Sequence, residues 1–222
     1  MYYFYMDFFK WFDEALPKLE KRAVSIKKTI DYLETLPNPI LILETGCVRK
    51  INSFSGDGQS TIIFDKYTQY RGGGSKVFSV DIKKSNIELC KQLVSDNVYL
   101  EINDSVRFIS NFSNLINQAN LSLLYLDSFD VDWKYPFESS AHHLKELTAS
   151  IPYINYKTLV VVDDAPLNML GYRDETNKIK VIQEPSIGGK GHLVHEYAIA
   201  VGAEVFFSHY QVGYKNLVKK PK

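Results

Sequence analysis

The sequence lacks the features of an oxidised or membrane-spanning protein. Its 222 residues include only two cysteines, Cys47 and Cys90, and both lie in patterns typical of a buried core. Two such cysteines match neither a disulfide framework nor a zinc site, which favours a reducing, cytoplasmic setting. No apolar run approaches the ~20 residues that a membrane-spanning helix needs. The amino terminus also lacks the basic start and small-residue cleavage site of a signal peptide.

An excess of one charge is lacking too. The 26 basic residues balance the 26 acidic ones, so charge gives no reason to expect a nucleic acid or an anionic membrane as the main partner. A chain of this length suits one α/β domain with a sizeable core. No internal repeat, low-complexity segment or second domain is evident.

Aromatic residues, by contrast, are concentrated at the amino terminus. So much aromatic surface must be covered, and three covers are conceivable: its own domain or a second subunit, the substrate beneath a lid, or a membrane surface. We favour packing over the membrane anchor, and we predict a helical segment over residues 1–37 that packs on domain 38–222 or forms a homo-oligomer. The eight aromatics of residues 1–12 are Tyr2, Tyr3, Phe4, Tyr5, Phe8, Phe9, Trp11 and Phe12.

Short apolar runs follow Pro37 and Pro39. Continuous runs of Val, Ile and Leu are typical of strands buried on both faces of a parallel sheet, and helical spacing separates most of them. We therefore predict an α/β fold with a mostly parallel, seven-stranded sheet, closed by an antiparallel hairpin of residues 203–210 and 214–218. The predicted parallel strands are 40–43, 77–80, 98–102, 121–126 and 159–162.

Acidic residues occur at the ends of these strands. In an open parallel sheet, ligands bind outside the carboxyl ends of the strands, so six carboxylates in corresponding places indicate a binding site there. One such residue alone would more often cap a helix or lie in a loop, and the prediction therefore depends on the whole set. Its members are Glu44, Asp81, Asp104, Asp127, Asp163 and Asp164.

Glycines follow the first strand. It ends in Glu44-Thr45-Gly46-Cys47, and the chain later continues as Gly56-Asp57-Gly58-Gln59-Ser60-Thr61. Glycine lets the backbone pass close to a ligand, and the following helix offers free N–H groups. The same glycines could instead serve only a tight turn. The spacing is not the dinucleotide fingerprint GxGxxG, and no Walker lysine is present.

Together with Ser79-Val80-Asp81, these motifs resemble the class I S-adenosylmethionine-dependent methyltransferases. The resemblance extends from about Ile40 to the closing hairpin and implies a Rossmann-like, doubly wound fold with S-adenosylmethionine as cofactor. It implies that Asp81 holds the ribose hydroxyls and that Asp104 and Ser105 lie beside the adenine. The insertion 48–57 departs from the family pattern. The residues that the resemblance puts around the methionine part are Glu44, Gly46, Gly58, Ser60 and Thr61.

Two later strand ends, 124–130 and 160–164, resemble those of metal-dependent O-methyltransferases, most closely the macrocin type that acts on sugars and macrolides. The resemblance implies Mg²⁺, or a similar divalent cation, held by Asp127, Asp163 and Asp164. Three adjacent carboxylates would repel one another without a cation, and oxygen ligands suit Mg²⁺. A metal-bound hydroxyl has a lowered pKa. The alternative is that Asp163 and Asp164 cap a helix or turn.

The candidate catalytic residues are Asp127, Asp130 and His143. His143 lies four residues before Leu147 on the inward face of a predicted helix, where a histidine is more often a hydrogen-bonded core residue than a catalyst. Asp130, three residues beyond Asp127, is a comparable candidate base. Residues 188–192 predict a mobile loop at the mouth of the site, where Lys190 meets an anionic substrate group or remains in solvent.

The sequence thus predicts a cytoplasmic methyltransferase that methylates a hydroxyl of a small molecule or sugar with the help of a metal. One alternative is a non-catalytic, S-adenosylmethionine-binding assembly subunit. The other is a different nucleotide-binding α/β enzyme. Asp81 would suit the ribose of an oxidoreductase cofactor, but the glycine spacing is wrong for its pyrophosphate. The Asp-X-Asp motif of a glycosyltransferase metal site is absent.

Overall fold

The computed structural model describes residues 8–57, 59–116, 120–167, 171–181 and 186–220. Within these ranges, strands alternate with helices along the chain. Helices α1 to α9 are Phe8–Ala15, Ala23–Glu34, Phe54–Asp57, Ser60–Arg71, Lys84–Cys90, Ser105–Ser110, Ser113–Ile116, Phe137–Ser150 and His192–Ala200. Strands β1 to β9 are Leu41–Thr45, Lys76–Asp81, Val98–Ile102, Leu123–Leu126, Leu159–Val162, Gly171–Arg173, Ile179–Val181, Glu204–Ser208 and Val212–Lys215.

Seven strands form one sheet in the order β3-β2-β1-β4-β5-β9-β8. Strands β1 to β5 run parallel, and the hairpin of β8 and β9 adds to β5 in the antiparallel direction. Strands β1, β4 and β5 are buried along their whole length, as continuous apolar runs covered on both faces must be. The predicted α/β fold, Rossmann-like and doubly wound with a closing hairpin, is confirmed.

A second, two-stranded antiparallel sheet of β6 and β7 was not predicted. Its turn is closed by Asp174, whose side chain accepts hydrogen bonds from the backbone N–H groups of Thr176 at 2.9 Å and Lys178 at 3.0 Å. Aspartate side chains commonly close turns in this way. The two strands have three residues each, too few for the long apolar runs on which the strand predictions depend.

The described part of the aromatic amino terminus packs on the chain's own domain. Phe8 and Phe12 are buried and stacked, with ring centroids 5.3 Å apart, and Phe8 also meets Tyr67 of α4 at 5.3 Å. Residues 1–7, which carry Tyr2, Tyr3, Phe4 and Tyr5, lie outside the described residues. No helix among those described is long and apolar enough to cross a membrane.

The opening helical segment, predicted over residues 1–37, is interrupted within its described residues. Residues Leu16–Arg22 form 3₁₀ turns with Pro17 in the first turn, and Glu20 has φ of 49° and ψ of −113°. Proline lacks the N–H that a continuous helix uses, and the left-handed backbone of Glu20 redirects the chain. As a result Arg22 points to the carboxyl edge of the sheet, where it meets β5.

The register of the parallel strands aligns their carboxyl ends. Thr45 pairs with Val80 on one side and with Leu126 on the other, and Leu126 pairs with Val162. The residues that follow these positions therefore emerge together at one edge. Glu44 lies one position earlier, within β1. Its side chain is therefore buried beside the sheet and does not emerge at the carboxyl edge.

Candidate active site

Three adjoining cavities lie along the carboxyl edge of the parallel strands, with volumes of about 220, 320 and 330 Å³. The first and second cavities share Gly46, Asp81 and Phe129 among their lining residues. The second and third share Asp127 and Asp130. The cavities therefore form one continuous groove, and two predicted catalytic carboxylates lie where its second and third parts meet.

The first cavity lies over the ends of β2 and β3. Asp81 accepts hydrogen bonds from a backbone N–H of the following turn at 2.7 Å and from Asn86 Nδ2 at 3.0 Å. Asp104 caps α6 through a backbone N–H at 2.9 Å, and Ser105 Oγ lies 2.9 Å from His142 Nε2. Asp81, Asp104 and Ser105, which the resemblance assigned to one ligand, thus line the same cavity.

The chain leaves β1 through a close approach at Gly46. The residue has φ of +80°, and a Cβ atom there would lie 2.6 Å from the carbonyl oxygen of Asp127. Glycine alone accepts this backbone conformation without strain and this contact without a clash. The bare backbone at Gly46 consequently forms a wall of both the first and the second cavity.

Glu44, Ser60 and Thr61 lie at different depths below the groove. Glu44 and Thr61 are completely buried, and Glu44 Oε2 accepts hydrogen bonds from Thr61 Oγ1 at 2.7 Å and Ser79 Oγ at 2.8 Å. Glu44 Oε1 has no hydrogen-bond partner among the described residues. Ser60 lines the second cavity, whereas Gly58 lies outside the described residues. Glu44 and Thr61 therefore support the floor of the groove, and Ser60 opens onto it.

The burial of Glu44 predicts a dependence of stability on pH. Burial raises its pKa to about 7, although hydrogen bonds from neighbouring hydroxyls oppose the shift. Because the folded protein holds this proton more tightly than the unfolded chain, stability is lost as pH rises from about 4.5 to about 7. Glu44→Gln keeps an oxygen for Thr61 and Ser79 and removes the titration. The free energy of unfolding of the variant, measured relative to wild type, should therefore rise by about 1–3 kcal/mol from about pH 5 to about pH 8.

Urea unfolding at the two pH values measures this difference. Exposed Glu88, replaced by glutamine, is the matched control, because its side chain is 61% exposed in an ion pair with Lys84. If the free energy of unfolding of Glu44→Gln differs from that of wild type by the same amount at both pH values, the prediction for Glu44 is wrong.

The acidic triad, defined as Asp127, Asp163 and Asp164, gathers at the ends of β4 and β5, as predicted. One carboxylate oxygen from each residue lies within 4.8 Å of the others. Successive residues of a strand point to opposite faces, but Asp164 has φ of 45°. This left-handed backbone, which aspartate tolerates, ends the strand geometry and lets both neighbouring side chains face the same point.

Two buried cations of the chain itself meet the triad. Arg22 Nε lies 2.9 Å from each oxygen of Asp163, and Arg22 Nη2 lies 3.0 Å from Asp164 Oδ1. Lys190 Nζ lies 2.5 Å from Asp127 Oδ1 and 3.2 Å from Asp164 Oδ2. The two cationic side chains are only 4% and 1% exposed. Three carboxylates and two cations leave a formal charge of −1.

Electrostatics keep Arg22, Lys190 and Asp164 ionised. Burial opposes the charged forms of Arg22 and Lys190, but the neighbouring carboxylates outweigh it and raise the pKa of both side chains. Burial likewise opposes the carboxylate of Asp164, yet Lys190, Tyr210 and Arg22 lower its pKa. These three groups thus hold one another in their charged states. Asp127 differs, because burial and the neighbouring carboxylates raise its pKa well above the ordinary value, against the opposing effect of Lys190.

The two other candidate bases lie in different surroundings. Asp130 is 65% exposed and forms an ion pair with Arg49 at 2.9 Å. His143 is completely buried, donates from Nδ1 to the carbonyl oxygen of Ser139 at 2.7 Å, and lines none of the three cavities. Burial lowers the pKa of His143 to about 4. It is a neutral core histidine in this structure, and its position gives no support to the prediction of a catalytic role.

Sequence reasoning missed some residues of the groove and the surroundings of others. Arg22 was predicted only as part of a helix. Lys190 was predicted on a mobile loop, yet residues Gly189–Gly191 form a buried 3₁₀ turn. Exposed Ile82 and Phe129 line the first and second cavities. Ile82 carried a usable signal, because it is an apolar residue directly after an acidic strand end.

No protein-family model matches the chain, and no curated protein matches it in sequence. Solved structures do share its fold. MycE methyltransferase from the mycinamycin biosynthetic pathway, solved in complex with Mg and SAH, is similar at a TM-score of 0.52 and 13% identity, over 85% of this chain and 47% of that chain. The chain thus spans about half the length of MycE.

A second similar structure is the apo form of CalS11, a TDP-rhamnose 3'-O-methyltransferase of calicheamicin biosynthesis. It has a TM-score of 0.52 and 13% identity, over 89% of this chain and 82% of that chain. At this level of identity the likeness concerns the fold. The chain shares the Rossmann-like fold of these two methyltransferases.

Proposed function

We propose that this protein is an S-adenosylmethionine-dependent methyltransferase that transfers a methyl group to a hydroxyl of a small molecule or sugar. The observation that carries the proposal is the continuous groove at the carboxyl edge of the sheet. Its first two cavities suit a nucleoside with an extended side group. Its third cavity opens beside the acidic triad and leaves room for an acceptor at the junction.

The chain's residues fit the cofactor. The bare backbone of Gly46 lines both the first and the second cavity, so a ligand can approach it closely. Asp81 can accept two hydrogen bonds from ribose hydroxyls, and exposed Ile82 and Phe129 offer apolar surface to an adenine ring. The methionine part would lie in the second cavity against Gly46 and Ser60.

The residues present do not fit Mg²⁺ in the same way. The carboxylates of the acidic triad converge, and MycE was solved with Mg, which are the two observations in favour of the predicted metal. However, Lys190 Nζ already lies between Asp127 and Asp164, and both oxygens of Asp163 accept hydrogen bonds from Arg22. This arrangement does not fit a divalent ion held by three carboxylates, and we derive no step through one.

The chemistry of transfer can be derived from the residues at the junction. S-adenosylmethionine, when bound in this groove, would supply an electrophilic methyl group for the acceptor oxygen. Asp130 lines both the second and third cavities, is largely exposed, and can accept the hydroxyl proton. Arg49 holds Asp130 at 2.9 Å, and Lys190 holds Asp127. Positioning of this kind is a large part of enzymatic catalysis.

The cofactor site is tested by replacing Asp81. Asp81→Ala removes the acceptor of the ribose hydroxyls and should weaken the binding of S-adenosylhomocysteine about 10- to 100-fold, since an unpaired buried polar group costs about 1–3 kcal/mol. Calorimetric titration measures the affinity. Asp96→Ala is the matched control, because Asp96 is exposed and precedes β3 at the opposite end of the sheet. Equal affinities of the two variants would overturn the assignment of Asp81.

Transfer itself is tested with cofactor labelled in its methyl group and a panel of glycosides and phenols. Label in an acceptor supports the proposal. Binding of S-adenosylhomocysteine without transfer to any acceptor would favour the non-catalytic subunit. Stabilisation by NAD or UDP-sugars instead of S-adenosylhomocysteine would favour an oxidoreductase or a glycosyltransferase. A cytoplasmic setting, and a homo-oligomer formed through the aromatic segment, remain proposals as well, with neither nucleic acid nor a membrane surface as partner.

A further inference from the structure

We propose that Lys190 is the resident cation of the acidic triad, and that its ammonium group takes the position of a divalent metal ion. The inference rests on the proposed function only for the role of the triad beside the acceptor. It stands on the geometry around one side chain. Lys190 Nζ contacts Asp127 at 2.5 Å and Asp164 at 3.2 Å, and only 1% of the side chain is exposed.

The charges around the triad support this assignment. Three crowded carboxylates repel one another and require positive charge between them. Arg22 neutralises Asp163 through paired hydrogen bonds, and Gln211 Nε2 donates to the same carboxylate at 2.8 Å. Lys190 serves the remaining two carboxylates. A divalent ion bound at the 2.0–2.1 Å typical of Mg²⁺–oxygen contacts would share two of its ligands with the ammonium group and would be repelled by it.

The backbone conformation around Lys190 directs its side chain toward the triad. Gly189 has φ of +55°, and a Cβ atom there would lie 2.0 Å from the carbonyl oxygen of Asp164. A Cβ atom on Gly191 would lie 2.5 Å from that of Ala165. Two glycines therefore let the turn press against the chain that leaves β5, and the N–H of Lys190 donates to the Asp164 carbonyl at 3.1 Å.

A second contact fixes the turn from its amino-terminal side. The N–H of Gly188 donates to the carbonyl of Pro166 at 3.0 Å. The N–H of Leu193, at the start of α9, donates to Ser140 Oγ of α8 at 2.8 Å. With its backbone held at both ends, the turn cannot withdraw Lys190 from the triad without losing these hydrogen bonds. The backbone of the turn therefore holds Lys190 beside the triad.

Lys190 acts as a positioning residue in this arrangement. It holds Asp127, which lines the second and third cavities, and Asp164, which lines the third. Both carboxylates face the junction of the groove, where the acceptor would lie. The fixed ammonium group sets their orientation in the way that a metal ion would, and no metal has to be acquired.

Titration with Mn²⁺, without cofactor or acceptor, tests the inference. Wild-type protein should show no saturable binding up to about 1 mM Mn²⁺, and neither Mn²⁺ nor EDTA should change its melting temperature. Lys190→Met removes the ammonium group, and this variant should bind Mn²⁺ on the order of 100-fold more tightly or better, because one charge is removed at ion-pair distance. Lys180→Met is the matched control, since Lys180 is exposed and only weakly paired with Asp174 at 3.8 Å.

Saturable binding of Mn²⁺ to the wild-type protein at micromolar concentration, with a melting temperature that falls in EDTA, would overturn the inference. So would a folded Lys190→Met variant that binds Mn²⁺ no better than wild type. If the variant does not fold, the wild-type titration decides alone. Calorimetry with S-adenosylhomocysteine tests the proposed function separately, so the two can fail independently.

Discussion

Replacement of Arg22 by methionine is expected to destabilise the folded protein by about 3–5 kcal/mol, because it leaves the carboxylate of Asp163 buried without its cation. The two side chains are 4% and 1% exposed and lie 2.8 Å apart. Urea unfolding, followed by circular dichroism, measures the loss.

Two further variants separate the charge effect from the loss of a large side chain. Arg49→Met breaks an ion pair with Asp130 whose members are 38% and 65% exposed, and should cost at most about 1 kcal/mol. The double variant Arg22→Met, Asp163→Asn removes both charges and should recover much of the stability. If Arg22→Met lowers the free energy of unfolding no more than Arg49→Met does, the buried pair of Arg22 and Asp163 does not stabilise the fold as expected.

Replacement of Gly46 by alanine is expected to destroy cofactor binding and to destabilise the fold by on the order of 3 kcal/mol, since strain at positive φ is joined by a backbone clash. The new Cβ atom would lie 2.6 Å from the carbonyl oxygen of Asp127. Neither backbone can move without disturbing the ends of β1 and β4. Affinity for S-adenosylhomocysteine should fall more than about 100-fold, because the wall of two cavities shifts.

The chain supplies a matched control for this substitution. Gly74 has φ of +82°, nearly the same as Gly46, but no atom lies within 4 Å of its added Cβ. Gly74→Ala should therefore cost only the strain of the left-handed backbone, about 1 kcal/mol, and leave affinity unchanged. Calorimetry and urea unfolding of both variants measure the two effects. Equal losses at the two positions would mean that the close approach at Gly46 does not matter.

The sheet and its acidic edge could be predicted from the sequence for a physical reason. Strands that are buried on both faces need continuous apolar runs, as in Leu159–Val162, and such runs are visible without a structure. Parallel topology then brings the residues that follow each run to one edge. Asp81, Asp127 and Asp163 were found in this way, because local pattern and topology together determine their positions.

The cations of the site could not be found by the same reasoning. Arg22 lies 141 residues from Asp163, and Lys190 lies 63 residues from Asp127, so no local pattern connects them. The position of Arg22 depends on an interrupted helix at Glu20. The position of Lys190 depends on the fit of two glycines against β5. A glycine-rich turn in a sequence is compatible with a mobile loop or a locked one, and the difference lies in tertiary contacts.

The buried contacts of Asp163 also determine when the site can be completed during synthesis. A chain emerges from the ribosome from its amino terminus onward, so Arg22 is exposed long before Asp163 is made. Gln211, which donates to Asp163 and to Tyr125, comes later still, on the turn that leads into β9. The groove therefore acquires its final electrostatics only when the closing hairpin has been translated and added to the sheet. Nascent chains that lack this hairpin therefore carry a site without the Gln211 contacts to Asp163 and Tyr125.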